Sequence, residues 1–426
     1  MLSLNLLDYI TKVIKSGETL ETARLRENAF TRERSMPFPN ALSFMLDMRT
    51  TTLQTRLNAF FKYNGGGEPI SQQAFSKLRA NFDHSPFEKI VRGLVKEEYS
   101  GNHPLTVWTP ARAGGCADQR WNGYHLLGVD GSYLQLPRVE DLRWEFGVRG
   151  ADICPMAGIS VLFDVLHGWA LDPILTDAYM NEREQLEKHM SFLSEELPEV
   201  AKKTILLIDR GYPSKDLFKK MQDSSFKFVA RCKSGFAKAV DELPLGDSVV
   251  TLKNGVSVRI VKFELENGDI ETLATNLPDL TMDAIIELYA LRWGIETMYF
   301  KLKQELCIEK FSGKTANSIR QDFWATMVLL NSVAVFQHEA DEAVKVRQKD
   351  KSIKHDNRAR TSDLIITLRD RFIFAALCGH PALTKLEMDN VIKTLARVVS
   401  PIRPGRSFPR NFKQFFNVNL NLKSLL

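Results

Sequence analysis

The chain has 426 residues, 44% apolar and 26% charged, with a net charge of +5. That length calls for more than one hydrophobic core. No apolar run reaches the roughly 20 residues that span a bilayer, and five scattered cysteines without a CxxC pair exclude a disulfide scaffold and a structural zinc site. The N-terminus, MLSLNLLDYITKVIKSG, carries Asp8 and no small-residue cleavage site, so it does not read as a secretory signal and a cytoplasmic protein is expected.

Residues 1–120 are predicted mainly helical. Residues 41–61 show apolar positions three and four apart, and Asn64-Gly65-Gly66-Gly67 breaks the chain. Ser71 is the expected N-cap of a second helix, SQQAFSKLRANF. Such a pair fits either a helix-turn-helix that reads DNA or an ordinary helical hairpin. From about 124 the pattern turns to strands: 125–137, 158–165 and 169–176. A helix over 181–197, a strand over 203–208, a helix over 214–224 and a strand over 226–233 follow. That order predicts a mixed sheet flanked by helices. Residues 234–275 form a strand-rich segment with Asn254-Gly255 and Asn267-Gly268 as hairpin turns. Helices are expected over 282–306, about 316–338, 361–378 and 384–399, with a polar, basic linker over 341–360. Residues 341–426 hold seventeen Lys/Arg against eight Asp/Glu, a net +9 that suits a polyanionic partner or a solvated helical surface. Within it, Lys345, Arg347, Lys349, Lys351, Lys354, Arg358 and Arg360 read either as phosphate contacts or as a soluble linker.

On one ideal helix, Tyr289, Arg292, Glu296 and Lys303 fall within an arc of about 60°. Arg292 and Glu296 alone would be an i,i+4 ion pair. Asp130 follows an apolar strand and precedes Gly131-Ser132, and Asp209 ends the run ILLI two residues before Gly211. Either aspartate alone is an ordinary turn former. Two strand-end acids with a helix-borne glutamate form a different set. Hard oxygen donors suit Mg²⁺ or Mn²⁺, and two such ions about 4 Å apart support in-line substitution at phosphorus.

These residues resemble the insertion-sequence-four family of DDE transposases, which have a ribonuclease-H-like catalytic core. The family pattern Tyr-x2-Arg-x3-Glu-x6-Lys is matched by Tyr289, Arg292, Glu296 and Lys303. GVDGS carries Asp130, and IDRGY carries Asp209 with Arg210 and Tyr212. The segments ATNL and FSGKT are also similar, and the resemblance covers roughly residues 40–340. It implies an α/β, ribonuclease-H-like mixed sheet flanked by helices, with a β-rich insertion and helical terminal regions. The implied divisions are a DNA-binding region over 1–120, core over 121–233 and 278–340, an insertion over 234–277 and a basic helical region over 341–426.

The resemblance also implies that Asp130, Asp209 and Glu296 hold the metal, Mg²⁺ or Mn²⁺, as two ions. Tyr289, Arg292, Lys303, Arg210 and Tyr212 would contact DNA. The implied activity is cut-and-paste transposition: cleavage at terminal inverted repeats, then strand transfer into target DNA, by a homodimer associated with the nucleoid. Some relatives stack a flipped base on a tryptophan of the insertion. Residues 234–275 contain none, which leaves Phe236 or Phe263 for that task. A domesticated, non-catalytic DNA-binding protein and a nuclease without strand transfer are the alternative readings. Gly313-Lys314-Thr315 lacks the first glycine of a phosphate loop, Ile308 standing there instead. The aromatic tail 408–416 reads as bases' stacking partner or as packing.

Overall fold

The computed structural model describes residues 2–32, 34–47, 51–63, 67–100, 120–150, 154–349, 352, 355–368 and 381–402. The aromatic tail 408–416, Lys351, Lys354, and the break at 64–66 lie outside the described residues. The chain divides into two compact units. One comprises residues 95–133 and 158–300, the other 1–94, 134–157 and 301–426.

The first unit is built on an eight-stranded sheet in the order β3-β2-β1-β4-β5-β8-β7-β6. Its strands are β1 (His125–Gln135), β2 (Met156–Asp164), β3 (Trp169–Thr176), β4 (Thr204–Ile208), β5 (Lys227–Arg231), β6 (Gly246–Thr251), β7 (Ser257–Glu264) and β8 (Ile270–Thr275). β4 runs parallel to β1 and to β5, whereas β3 pairs β2, and β8 pairs β5, antiparallel. Every residue of β4 is buried, the continuous apolar run of a strand covered on both faces. On one face Leu126, Ile205, Leu207 and Val229 pack with Ile285, Leu288 and Tyr289 of the Met282–Ala290 helix. On the other, Phe228 stacks on Phe218 of the Lys215–Asp223 helix, with centroids 4.9 Å apart. The period of two along each strand sorts these side chains.

The strand-rich segment does more than form hairpins. β8 lies on β5, so β8, β7 and β6 continue the main sheet and cover what would otherwise be an unpaired strand edge. Gly255 and Gly268, at φ of +79° and +82°, close its two turns as the Asn-Gly pairs predict.

The helix expected over 282–306 is broken. Met282–Ala290 ends, and a new helix runs from Trp293 to Phe300. Between them the amides of Leu291 and Arg292 bond back three residues, to Leu288 and Tyr289. A π-helical turn follows at Lys301–Glu305, where the Leu306 amide bonds to the Lys301 carbonyl at 2.7 Å.

The second unit centres on the helix Ala316–Gln348, apolar along most of its length and packed by the helices Leu2–Lys15 and Pro381–Leu395. Gly313-Lys314-Thr315 ends as its N-terminus, with Thr315 and Ser318 in a capping box. Arg79 is buried there, bonded to Asp322 (3.0 Å), Gln321 (2.8 Å) and Ser312 (2.7 Å). The helix continues well into the expected linker, and β9 (Asn357–Ala359) then pairs antiparallel with β10 (Val399–Pro401). The single helix expected over 41–61 is two, Phe38–Met45 and Leu53–Tyr63, followed by Gln72–Arg79, whose N-cap Ser71 accepts from the Ala74 amide. Among the described residues no helix is long and apolar enough to cross a membrane.

Candidate active site

The register of β1 and β4 brings the two aspartates together. Leu126 pairs Ile205, Gly128 pairs Leu207 and Val129 pairs Ile208. Asp130 and Asp209 are the next positions, one strand spacing of about 4.8 Å apart. By the alternation of side chains both continue the face that carries Leu126 and Leu207.

Glu296 is delivered to the same region by a close helix–strand contact. A methyl at Gly128 would stand 2.1 Å from Ile295 Cδ1, and one at Gly294 would stand 3.2 Å from Val165 Cβ. Two glycines thus let the Trp293–Phe300 helix lie hard against β1 and the end of β2. Tyr299 fixes it further by donating its hydroxyl to the Asp130 carbonyl at 2.7 Å.

The three motif residues of this unit turn inward. Tyr289 is buried and donates to Asp209 Oδ1 at 3.3 Å. Arg292 is buried too, and its guanidinium binds Glu296 Oε1 at 2.9 Å. Burial works against the Arg292 charge, but Tyr289, Asp209 and Glu296 around it raise its affinity for the proton. Burial likewise pushes the Asp130 carboxyl up to about 6. The Gly131 amide (2.9 Å from Oδ1) and Arg292 oppose that rise, while Asp209 and Glu182 add to it. Lys303 lies in the π-helical turn and belongs to the other unit. There burial pulls its ammonium below the usual value and Glu309 pushes it back up.

The arrangement departs from the expected set in two respects. Asp130 and Asp209 adjoin, but Glu296 is held by Arg292, and among the described residues no three His, Cys, Asp or Glu side chains stand close enough to hold an ion as they are. Tyr212, expected on DNA, is only 1% exposed, and among the described residues its hydroxyl has no hydrogen-bond partner. The chain turns back into the core after Gly211, so Tyr212 faces the carboxylates, whereas Arg210 is exposed. Two observations nonetheless fit a cation here: adjacent half-buried carboxylates, of which Asp130 resists ionisation, and an orphaned buried hydroxyl beside them.

Sequence reasoning passed over Glu182. It opens the helix Glu182–Glu196, where an acid in the first turn is an ordinary complement to the helix dipole, so nothing marked it out. It also passed over a Ser-His-Asp chain. Ser160 Oγ lies 2.9 Å from His189 Nε2, and His189 Nδ1 lies 2.7 Å from Asp172. All three are buried, so this chain ties the Glu182–Glu196 helix to β2 and β3 and offers no nucleophile to a substrate.

A mixed sheet of this order, flanked by helices and carrying adjacent acids midway along β1, which runs on past the expected strand end, and just past the end of β4, places the molecule among ribonuclease-H-like proteins. Residues 121–332 match the family described as the Transposase DDE domain. A Synechocystis sp. protein named as the transposase of insertion sequence element IS4SA is 22% identical over 310 residues, 70% of this chain and 81% of that protein. Among solved structures, the cryo-electron microscopy structure of a piggyBac transposase synaptic complex with hairpin DNA is 11% identical, with a TM-score of 0.48 over 96% of this chain and 88% of the other. The chain belongs to the DDE transposases, of the insertion-sequence-four type. It is therefore a metal-dependent enzyme of DNA cleavage and strand transfer.

Proposed function

We propose that Asp130, Asp209 and Glu296 hold two Mg²⁺ or Mn²⁺ ions that serve cut-and-paste transposition. The observation that carries this reading is the side-by-side placement of Asp130 and Asp209, with the Glu296 helix seated against the strand of Asp130. Hard divalent ions activate an attacking oxygen and neutralise a leaving one at phosphorus. The chain's own part is to hold the oxygen donors in place. Tyr289 steadies Asp209, Tyr299 anchors the backbone of Asp130, and Arg292 carries the positive charge between Asp209 and Glu296. With Glu296 holding a cation, Arg292 would be left free to meet a DNA phosphate, for which its planar fork is suited.

Arg210, which is exposed, extends that phosphate contact, and Lys303, in the other unit, is a further DNA contact. The helices Leu53–Tyr63 and Gln72–Arg79 serve the DNA-binding region of residues 1–120, and the basic region 341–426 adds sequence-independent contacts. The substrates are the element's terminal inverted repeats and target DNA, handled by a homodimer in the cytoplasm at the nucleoid.

The test uses duplexes carrying the element's terminal repeats with Mg²⁺. Asp209→Ala and Glu296→Gln are expected to bind those ends and to lose cleavage by about a thousandfold or more, the scale of losing a group that stabilises charge in the transition state. Normal cleavage by either variant would overturn the ligand assignment. Cut ends without joined product from the native protein would favour a nuclease.

A further inference from the structure

We propose that Glu182 is a further carboxylate of the cation-binding centre, closing it from the side of the two glycines that follow Asp130 and Asp209. The proposal rests on the reading that those aspartates bind the metal. Gly131 and Gly211 follow the two acids by one and two residues, and both face Glu182. A methyl at Gly211 would stand 2.4 Å from Glu182 Oε2, and one at Gly131 would stand 3.5 Å from Glu182 Oε1. One carboxylate therefore reaches both segments: the lack of a side chain at Gly211 admits its tip, and at Gly131 it makes ordinary van der Waals contact.

A plain helix-dipole role does not require that placement. Glu184, in the same helical turn, shows what such a role looks like: it is exposed and accepts from Asn181 Nδ2 at 3.1 Å. Glu182 is instead half-buried, with its carboxylate set against Gly211 and Gly131.

A second observation points to a ligand. The Tyr212 hydroxyl is buried, has no hydrogen-bond partner among the described residues, and feels the charges of Asp130, Glu182 and Asp209. Buried hydroxyls are ordinarily satisfied, and a hydrated cation held by these carboxylates would supply the missing partner. Carboxylates brought near one another repel unless a cation joins them, and oxygen donors are what a hard divalent ion takes.

Mn²⁺ binding to the full-length, DNA-free protein, followed by electron paramagnetic resonance of the free ion, tests this. Asp209→Asn is expected to abolish tight binding, Glu182→Gln to weaken it about tenfold, the lower end of what altering a metal site's supporting groups costs, and Glu184→Gln to leave it unchanged. The rise in Tm on adding Mn²⁺ should shrink in Glu182→Gln and not in Glu184→Gln. If Glu182→Gln fails to fold, Glu182→Asp, which keeps the charge but withdraws it by one methylene, is read by the same titration and should bind more weakly than the native protein. Native affinity in the folded Glu182 variant, or equal loss in Glu184→Gln, overturns the role of Glu182 alone. Native affinity in Asp209→Asn overturns the metal reading beneath it.

Discussion

Two carboxylates of the sheet, Asp130 half-buried and Asp164 fully buried, are pushed in opposite directions. Asp130 meets desolvation with too little compensation and rises to about 6. Asp164, at the end of β2, meets more burial and yet falls well below the usual range. There His167 (2.8 Å), the Tyr99 hydroxyl (2.7 Å) and the amides of Leu166 and His167 (2.9 Å each) satisfy its charge, with His125 adding to the effect. The first carboxylate is held ready for a partner, and the second already has its own. A depressed acid stabilises the fold above its unfolded value of about 3.9 and loses that contribution as pH falls. Asp164→Asn should therefore cost about 3 kcal/mol at pH 7, the scale of breaking a buried pair. Denaturant titrations at a series of pH values should show the gap to the native protein narrowing below about pH 4. A gap that does not change with pH would mean the Asp164 charge is not what stabilises the turn. At this same scale the motif of four was read correctly for its Arg292–Glu296 pair, which local spacing dictates. The burial of Tyr212, outside that motif, was not legible in the sequence, because only the path of the chain after Gly211 shows which way that ring turns.

At the scale of elements, the strands were legible within a few residues, since β-branched and apolar runs bounded by turn residues admit few other readings. The helix over 282–306 was not, because periodicity cannot show that its backbone tightens at Leu291 and widens again at Lys301. The interruption matters because it separates the helix that covers the sheet core from the one that carries Glu296. The seat of that second helix is open to a direct test. Gly128→Ala places a methyl against Ile295 and is expected to cost about 1–3 kcal/mol, as overpacking does. Ile295→Val removes the Cδ1 nearest that methyl, so the double variant should recover part of the loss, and additive losses in thermal melts would show that the two do not meet.

At the scale of the whole molecule, charge is segregated along the chain. Residues 341–426 carry +9, whereas the rest of the chain sums to −4. DNA binding should weaken steeply with salt. Removal of residues 403–426, which hold five Lys/Arg, should flatten the log–log slope by about 0.9 for each phosphate that is no longer neutralised. An unchanged slope in a binding titration from about 50 to about 200 mM salt would assign the phosphate-binding role to other basic residues.

The class of fold, the family motifs and the acids they carry are local properties: runs of apolar residues, turn pairs and spacings that the order of residues carries without reference to distant segments. Three things depended on chain segments remote from one another. Register set Asp130 beside Asp209, glycine at 128 let the Glu296 helix approach, and the turn after β3 brought Glu182 over Gly131 and Gly211. Close approach is decided by which side chains are missing where two segments cross, and a one-dimensional pattern does not say which segments will cross.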